Sequence, residues 1–556
     1  MADALGMIEL SELQKLYTSP AIAYFCAEFA VDEKLPIYAG GLGILAGDML
    51  KQACEDKRPF IGVGLLYHKG YMLQEISKDA NVYGPDTIDL SKTDLKLLVR
   101  GNTPVTVSVP IHARKVTVKV WVQMTGCVPL LLLDTDIEGN EAQDINLCDQ
   151  LYYGDREHRF KQEMILGIGG FRVLHELGIP IRLYHLNEGH SALLLFELAR
   201  SLAPANDLKD YADTLEHLKN VVFTNHTLIP AGNDVFSKDL VISYLASYAM
   251  EFPMDPAVFA KYGLIQDSSL FSPTMLALRL ATISQAVSKL HQQKALAMWT
   301  DHPMVAVTNG VHQKTWQSEE IAKCDCANTD DLWNAHLTRK KILCEMITET
   351  TGITWSENDL LIGWARRLAN YKQPLILFED IERLKKIVTG SKVPVRIIFS
   401  GKPHAYDEQA LQNLHFLLEQ VGKFEGSVVY LQNYSIQLAQ TLLSGLDVLL
   451  NTPIRGFEAC GTSGMKASMN GVLLCTTKDG WTDEVDWTDM GFVIEDHHAA
   501  VHLYERIEQD IIPLYMDRQR WTAHMQKSIT MSVQNYSASR LLSELEAKVY
   551  SQIGKV

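Results

Sequence analysis

Long apolar runs, paired cysteines and an excess of basic charge are all missing from this sequence. Its apolar stretches, such as 128–133 and 448–450, are far shorter than the roughly 20 residues of a membrane-spanning helix. The nine cysteines are scattered without a C-x-x-C pair, which predicts reduced thiols and no metal site. The net charge of −16 argues against nucleic acid or an anionic membrane as the main partner. The amino terminus has early acids and no basic, apolar leader, so we expect a cytoplasmic protein.

Several familiar catalytic motifs are missing as well. The sequence contains no G-x-S-x-G elbow, no H-E-x-x-H helix and no phosphate-binding G-x-x-x-x-G-K-[ST] loop. These absences argue against serine hydrolases, zinc peptidases and P-loop nucleotidases without excluding them. Acidic residues are abundant, so no pair of carboxylates can be singled out for a retaining glycosidase.

The short apolar segments that are present alternate with stretches of helical periodicity. Continuous apolar runs are typical of buried parallel strands, and the alternation predicts an α/β fold with doubly wound sheets. The clearest predicted strands lie at 179–186, 221–227, 305–311, 359–367, 395–401, 427–434 and 447–453. A chain of 556 residues is too long for one core. We expect an amino-terminal domain over 1–316 and a Rossmann-like domain over 317–556, with the last helices crossing back to the first domain.

The sharpest motif is EACGTSGMKASMNG, at 458–471. Its Gly-Thr-Ser-Gly turn follows a predicted strand and precedes a helical stretch, and backbone N–H groups at such a turn bind phosphate. Lys466 follows Gly464 by two residues, close enough to the turn to form a Schiff base with a phosphate-bearing aldehyde. A glycine-rich helix cap with a surface lysine explains the same pattern equally well.

A second motif, GWARRLANYKQP at 363–374, places three cations and a tyrosine just after a predicted strand. Ligands of doubly wound sheets bind at the carboxyl ends of strands, so Arg366, Arg367 and Lys372 are candidates for an anion site. Taken alone, the segment is better explained as a solvated helix face.

Glycines and polar strand ends add weaker signals. Gly40, Gly41 and Gly43 open a helical stretch in LPIYAGGLGILAGDML, which predicts a helix amino terminus facing an anion. Polar side chains follow three predicted strands, in HLNEGHS, FTNHT and VTNGV, and suit the hydroxyl groups of a sugar. Each single histidine among them is more simply explained as a satisfied core or cap residue.

Taken together and in this order, these segments resemble the glycogen/starch α-glucan phosphorylase family, and its short bacterial-type branch in particular. The resemblance is densest over 362–484 and recurs at 21–75, 184–197, 221–236 and 275–316. EACGTSGMK resembles the family's E-A-S-G-T-G-N-M-K segment, whose lysine carries pyridoxal 5′-phosphate. The resemblance therefore implies that Lys466 is the cofactor lysine. GWARRLANYK resembles the family's K-R-x-x-x-Y-K stretch, whose cations bind the cofactor phosphate and the substrate phosphate.

The resemblance implies a role for each matching residue. The implied catalytic residues are Arg367 and Lys372 on the substrate phosphate, with His226 and Glu458 on the sugar. The implied cofactor contacts, besides Lys466, are Arg366, Thr462, Ser463, Tyr434 and Trp316. The implied substrate contacts are Gly40, Gly41, Gly43, Asn309, Gly461, Tyr371, Glu188 and His190.

The implied activity is phosphorolysis of an α-1,4-glucan such as glycogen or maltodextrin. Inorganic phosphate would release glucose 1-phosphate from the non-reducing end with retention of configuration. The implied architecture is two Rossmann-like doubly wound domains facing a cleft, as in GT-B-type glycosyltransferases, and the implied assembly is a homodimer.

Some positions depart from the family pattern and keep alternatives open. Cys460 replaces a serine, Gln373 stands where a cation is expected, and Asn233 stands where the short branch often has histidine. One alternative is a cofactor-free nucleotide-sugar glucan glycosyltransferase of the same architecture. Another is a degenerate glycan-binding protein without turnover.

Overall fold

The computed structural model describes residues 6–76, 81–85, 87–203, 208–229, 232–251, 255–266, 268–404 and 407–553. Within these ranges the chain is a mixed α/β protein built on two large sheets, which confirms the predicted fold class. No helix in the described ranges has both the length and the apolar character needed to cross a membrane.

The first sheet has 12 strands in the described part of the chain, in the order β1-β6-β9-β10-β3-β2-β11-β12-β15-β16, with β7 beside β6 and β8 beside β9. The strands of the first half are β1 Gly6–Glu9, β2 Ala21–Phe25, β3 Phe60–Leu65, β4 Leu73–Ile76, β5 Asn81–Gly84, β6 Lys96–Arg100, β7 Thr103–Pro104, β8 Thr106–Ile111, β9 Arg114–Thr125, β10 Val128–Asp134, β11 Ile181–Asn187, β12 Val221–Asn225, β13 Phe236–Ser237, β14 Leu270–Phe271, β15 Ile283–Ala286 and β16 Met304–Ala306. From β10 to β16 the neighbours in this sheet run parallel, whereas β9 pairs antiparallel with β6, β8 and β10. The sequence did not indicate this antiparallel extension.

The second sheet is entirely parallel, in the order β19-β18-β17-β20-β21-β22. Its strands are β17 Leu360–Ala365, β18 Val395–Ser400, β19 Val428–Leu431, β20 Val448–Asn451, β21 Leu473–Thr477 and β22 Gly491–Ile494. The order reverses between β17 and β20, which is the topological switch point of a doubly wound sheet and the usual place for a ligand. Four of these strands were predicted from their apolar runs to within three residues.

Helices cover and connect the two sheets. In the first half they are α1 Leu10–Gln14, α2 Gly41–Glu55, α3 Ala142–Ile145, α4 Arg156–Met164, α5 Gly170–Leu177, α6 Leu194–Leu202, α7 Leu208–Glu216, α8 Lys238–Ala249, α9 Pro256–Gly263, α10 Pro273–Leu280, α11 Lys289–Met298 and α12 Gln313–Trp316. In the second half they are α13 Glu319–Lys323, α14 Thr329–Thr351, α15 Ile381–Gly390, α16 Glu408–Lys423, α17 Ile436–Gly445, α18 Ser463–Ser468, α19 Ala499–Glu505, α20 Ile512–Tyr515, α21 Arg518–Asn535 and α22 Ala538–Lys548.

The last helix packs into the core of the first sheet rather than the second. Leu541, Leu542 and Leu545 of α22 are buried among the side chains of the first half. Polar contacts fix the same position, because Arg58 Nη1 donates to the carbonyl of Leu542 at 3.1 Å. The two ends of the chain therefore share one core.

A disulfide joins Cys54, near the end of α2, to Cys127, in the turn between β9 and β10. Their Cα atoms lie 5.3 Å apart. The expectation of reduced thiols is therefore wrong for this pair, although the other cysteines, all in described ranges, are free. Spacing alone did not indicate the bond, since 73 residues separate the partners and only the fold brings them together.

Candidate active site

Lys466 lies in a buried pocket and not on the surface. It is the fourth residue of α18 and is only 5% exposed. Its Nζ lies 3.6 Å from the centroid of the Trp316 ring, a close cation–π contact. Burial lowers the pKa of Lys466 to about 8, against the opposing charge of Asp48. A buried amine with a lowered pKa is suited to nucleophilic attack on a carbonyl group.

The turn before α18 is packed so tightly that only glycine fits at its centre. A Cβ atom at Gly461 would lie 1.5 Å from Glu458 Oε1 and 2.9 Å from Arg366 Nη2. The indole of Trp481 donates to the Gly461 carbonyl at 2.8 Å and holds the turn in place. Thr462 and Ser463 follow it, half-buried. The turn thus brings the segment before Lys466 against the cations that follow β17.

Two of those cations form a buried cluster with Glu458. Arg366 Nη2 donates to Glu458 Oε1, and Lys372 Nζ lies 3.6 Å from Glu458 Oε2. Burial and the charge of Arg366 together lower the pKa of Lys372 to about 7, against the opposing charge of Glu458. Although burial raises the pKa of Glu458, Arg366 and Lys372 hold it below its usual value.

This cluster has unused capacity for an anion. Among the described residues, Arg366 Nε and Nη1 are buried and have no hydrogen-bond partner. Buried polar groups are almost always paired, and an unpaired guanidinium edge is costly. Two cations against one carboxylate leave a local positive charge in a protein whose net charge is −16. The geometry fits an anionic group such as a phosphate between these side chains.

Arg367 and Tyr371 lie on the solvent side of the cluster. Asn370–Lys372 form one 3₁₀ turn, so the segment is not the solvated helix face that its charges alone suggested. The side chain of Arg367 is exposed, with Tyr371, Tyr71 and Glu28 as its electrostatic neighbours. Glu28 belongs to the first half of the chain, so the two halves meet here.

The glycine segment forms the start of α2 and leaves space there. A Cβ atom at Gly40 or Gly41 would meet no atom within 4 Å, whereas one at Gly43 would lie 2.7 Å from Tyr38 Cβ. Glu28 Oε2 accepts from the N–H of Gly40 at 3.1 Å, which keeps the segment ordered. The amino terminus of this 15-residue helix therefore borders open space and offers positive potential to an anion.

A polar group gathers at the ends of β11 and β12. His226 N donates to Glu188 Oε1 at 2.5 Å, and His226 Nε2 hydrogen-bonds Asn187 Oδ1. Glu188 has a left-handed backbone with φ of 68°, which turns its carboxylate toward this group. Burial lowers the pKa of His226 to about 3, so its imidazole is neutral, and burial raises the pKa of Glu188 to about 8.

This polar group connects to the turn at 458–461. Asn225 Oδ1 hydrogen-bonds His291 Nε2 at 3.1 Å, the N–H of His291 donates to Ser288 Oγ, and Ser288 Oγ donates to the carbonyl of Ala459 at 2.6 Å. The neighbouring Asn309 is buried at 4% exposure. Neutral imidazole, amide and carboxyl groups in one place suit sugar hydroxyls.

Two of the predicted residues lie less centrally. His190 borders a small cavity, of about 20 Å³, with Tyr152, Arg159 and Glu163. The Tyr434 hydroxyl donates to the carbonyl of Ala365, at the end of β17, at 3.3 Å. Tyr434 therefore lies at the carboxyl end of the strand that precedes Arg366, whereas His190 faces this small cavity.

Sequence reasoning missed Glu28, Asp48 and Arg540, all of which contact predicted site residues. Asp48 accepts from Trp316 Nε1, and Arg540 donates to the carbonyls of Thr308 and Asn309. Glu28 lies three residues after the end of β2, so the strand-end reasoning that selected His226, which follows β12 at once, did not reach it. Nothing in the local sequence distinguishes Arg540, which comes from the other end of the chain.

Comparison with known proteins agrees with this geometry. The family model of carbohydrate phosphorylases matches residues 312–488, which include the cation cluster and Lys466. Maltodextrin phosphorylase of Thermococcus litoralis is 36% identical, over 96% of this chain and 70% of the relative. Glycogen phosphorylase of Mycobacterium tuberculosis is 33% identical, over 95% and 70%, and that of Aquifex aeolicus 30%, over 98% and 88%. These matches span nearly the whole chain and most of each relative, so the chain belongs to the carbohydrate phosphorylase family.

Proposed function

We propose that the chain is an α-1,4-glucan phosphorylase, which uses inorganic phosphate to release glucose 1-phosphate from the non-reducing end of a glucan. The relatives named maltodextrin phosphorylase and glycogen phosphorylase support the reaction class. The observation that carries the proposal is the buried Arg366 guanidinium, with two unpartnered nitrogens, in the cluster next to the turn that leads to Lys466. The site therefore has both an amine for a carbonyl cofactor and cations for phosphate.

We further propose pyridoxal 5′-phosphate as the cofactor, because the residues present fit it. Lys466 supplies a buried amine, Arg366 supplies free N–H groups for the 5′-phosphate, and Trp316 supplies an aromatic face. Thr462 and Ser463 offer hydroxyl groups beside the same turn, and Tyr434 lies at the neighbouring strand end. When bound, the cofactor supplies a phosphate group that exchanges a proton with the substrate phosphate.

The chain's own residues would bind the second phosphate. Lys372 and Arg367 supply positive charge, and the free space at Gly40 and Gly41 lets the anion approach the start of α2. Preorganised charges of this kind stabilise the charge that develops on the phosphate as the glycosidic bond breaks. Tyr371, beside Arg367, limits how that guanidinium is oriented.

The polar group at β11 and β12 would hold the terminal glucose. Neutral His226 and buried Asn309 are positioned for sugar hydroxyls, and Glu458 and Gly461 lie where the sugar and the phosphate would meet. Glu188 keeps His226 in place through the backbone N–H. His190 lines a cavity of only about 20 Å³, which leaves no room for a sugar beside it.

We also propose the two-domain division, 1–316 and 317–556, with the site in a GT-B-type cleft between the two sheets. Contacts cross this boundary next to Tyr434, as in the reciprocal hydrogen bonds of Gln74 and Asn433. A cleft of this kind excludes water, which favours phosphate over hydrolysis.

Phosphate dependence tests the function directly. Purified protein is incubated with maltodextrin, with and without inorganic phosphate, and glucose 1-phosphate is quantified. We expect the sugar phosphate only when phosphate is present. Absence of product from protein that carries the cofactor would contradict catalysis and favour a glycan-binding protein. Absence of both product and cofactor would favour a nucleotide-sugar glycosyltransferase.

A further inference from the structure

We propose that Asp48 is a positioning residue for Lys466, which it serves by holding Trp316 against the amine and by keeping a negative charge beside the lysine nitrogen. The inference rests on the proposed cofactor function of Lys466. It adds a residue of α2, from the first half of the chain, to the lysine pocket of the second half.

Three buried side chains form a stack from carboxylate to indole to amine. Trp316 Nε1 donates to Asp48 Oδ2 at 2.8 Å and to Oδ1 at 3.1 Å, and Lys466 Nζ lies 3.6 Å from the centroid of the same indole ring. None of the three side chains belongs to a residue more than 5% exposed. The carboxylate therefore determines where the ring lies, and the ring forms one wall of the lysine pocket.

The charge of Asp48 needs an explanation beyond this hydrogen bond. Its donors, Trp316 Nε1 and the N–H of His312 at 3.2 Å, are both neutral groups. An asparagine oxygen would accept from the same donors without the cost of burying a carboxylate, which is several kcal/mol unless a cation compensates it. Burial raises the pKa of Asp48, and the cations that oppose this rise are Lys466 and, with a smaller influence, Lys51.

The other charged groups nearby do not replace Asp48. Lys51 belongs to α2, like Asp48. Its positive charge disfavours protonation of Lys466, whereas the negative charge of Asp48 favours it. Lys314 forms an ion pair at 2.8 Å with Glu55, at the end of α2. Burial lowers the pKa of His312, against the opposing charges of Asp48 and Glu55. The acid that acts on the Lys466 nitrogen is therefore Asp48.

Helix α2 also connects the lysine pocket to the proposed anion site. Asp48 follows Gly41 by seven residues, which is nearly two helical turns, so both lie on one face about 10 Å apart. The positive amino terminus of the helix faces the proposed anion site, and the negative Asp48 faces the lysine. One helix thus offers positive charge to the proposed substrate phosphate and negative charge to the lysine nitrogen that would hold the cofactor.

The test measures the protonation of Lys466 in the cofactor-free protein. Pyridoxal phosphate is added over a range of pH, the adduct is trapped with borohydride, and labelled Lys466 is quantified by peptide mapping. Only the neutral amine reacts, so the midpoint of labelling follows the pKa of the lysine. In Asp48→Asn we expect this midpoint to fall by about one pH unit, since a buried acid no longer favours the ammonium form. The control Asp56→Asn, which removes an acid paired with Arg58 just after α2, should not move it.

The outcomes separate this inference from the proposed function. Equal midpoints in wild type and Asp48→Asn, with Lys466 labelled in both, would overturn the role of Asp48 alone. Labelling of a different lysine in the wild type would overturn both proposals. Asp48→Glu keeps a carboxylate in the pocket, so its midpoint should stay close to that of the wild type. If Asp48→Asn does not fold, a midpoint in Asp48→Glu that lies about one unit below the wild-type value would still contradict control of the amine by the charge of Asp48.

Discussion

Glu458 is the residue on which the charges of the site converge. It pairs with Arg366 and Lys372, and its carboxylate occupies the space beside Gly461. One carboxylate does not neutralise two cations, so Arg366 and Lys372 retain affinity for a further anion. At the scale of the residue, then, the proposed phosphate chemistry depends on buried charges that are only partly neutralised.

Replacement of Gly461 by alanine is the sharpest steric test of this arrangement. The added methyl group would overlap Glu458 Oε1, so we expect the carboxylate to move away from Arg366. Phosphorolysis should fall at least about 100-fold, and overpacking should lower the free energy of unfolding by about 1–3 kcal/mol. Denaturant unfolding and initial rates measure the two effects.

Gly422→Ala on α16 is the matched control, because the new methyl group there meets no atom within 4 Å. We expect it to leave the rate unchanged and to stabilise the protein by up to about 1 kcal/mol. Equal effects of the two substitutions would contradict the steric role of Gly461.

The pKa of Lys372, lowered to about 7 by burial, predicts a pH dependence of anion binding. The ligand-free side chain is protonated below pH 7 and loses its charge as the pH rises through that value. Affinity for sulfate, which stays a dianion, should therefore weaken above pH 7 by up to about tenfold per pH unit. Titration calorimetry between pH 6 and pH 9 measures this slope.

Lys372→Arg is the control for that measurement, because arginine stays charged throughout the range. It keeps Lys466 and Glu188, whose pKa values of about 8 are further sources of pH dependence. A slope as steep in Lys372→Arg as in the wild type would assign the effect to another group.

At the scale of elements, two connections hold the site together across long distances in sequence. Helix α2 carries the glycine segment, Asp48 and the disulfide at Cys54. The start of α22 clamps the segment around Asn309, because the N–H of Val311 donates to Tyr536 O and the N–H of Ala538 donates to Val311 O. Neither element contributes a catalytic group by itself, yet each determines where such groups lie.

The connection between α22 and the segment around Asn309 can be tested at Arg540. It donates to the carbonyls of Thr308 at 2.6 Å and Asn309 at 2.7 Å, and hydrogen bonds from a charged donor are worth about 1.5–3 kcal/mol. In Arg540→Ala we expect kcat/KM for maltodextrin to fall about 10–100-fold, because Asn309 loses its orientation. Arg518→Ala removes an exposed ion pair with Asp330 and should have no such effect. Unchanged kinetics in Arg540→Ala would show that the clamp is not needed.

At the scale of the whole molecule, the last helix of the chain packs against its first half. Helix α22 follows the second sheet in sequence but is buried in the core of the first, and His185 Nδ1 hydrogen-bonds the Tyr550 hydroxyl at 2.8 Å. The two halves of the chain are therefore coupled through a shared core as well as through the site. We expect neither half to fold by itself when the chain is cut at this boundary, since each half then lacks part of its packing.

The stability that α22 contributes to the first core can be tested at Leu542. It is fully buried in the first core, and truncation of such a leucine costs about 2–5 kcal/mol. Leu542→Ala should lower the free energy of unfolding by this amount, whereas Leu296→Ala, at a site 46% exposed, should change it by less than about 0.5 kcal/mol. Chemical denaturation of both variants checks the prediction, and equal stability would contradict burial of α22.

Prediction from sequence succeeded where a signal is local. The strands of the second sheet follow from apolar runs, and β20 was expected at 447–453 and is observed at Val448–Asn451. It failed for the antiparallel extension, because β9 alternates apolar and polar residues and is therefore not one of the continuous apolar runs from which strands were predicted. It failed also for the disulfide, which depends on contact and not on spacing.

The candidate site shows the same division. The sequence by itself determined the fold class, the family resemblance and the segments that carry Lys466, Arg366 and the glycines, since each is a local pattern of residue types. Only the tertiary structure decided that Lys466 is buried, that Asp48 lies beside Trp316, which is 268 residues away, and that Arg366 has unpartnered nitrogens. The physical reason is that burial and charge compensation depend on neighbours in space, and the chain brings those neighbours together from segments with no common local signal.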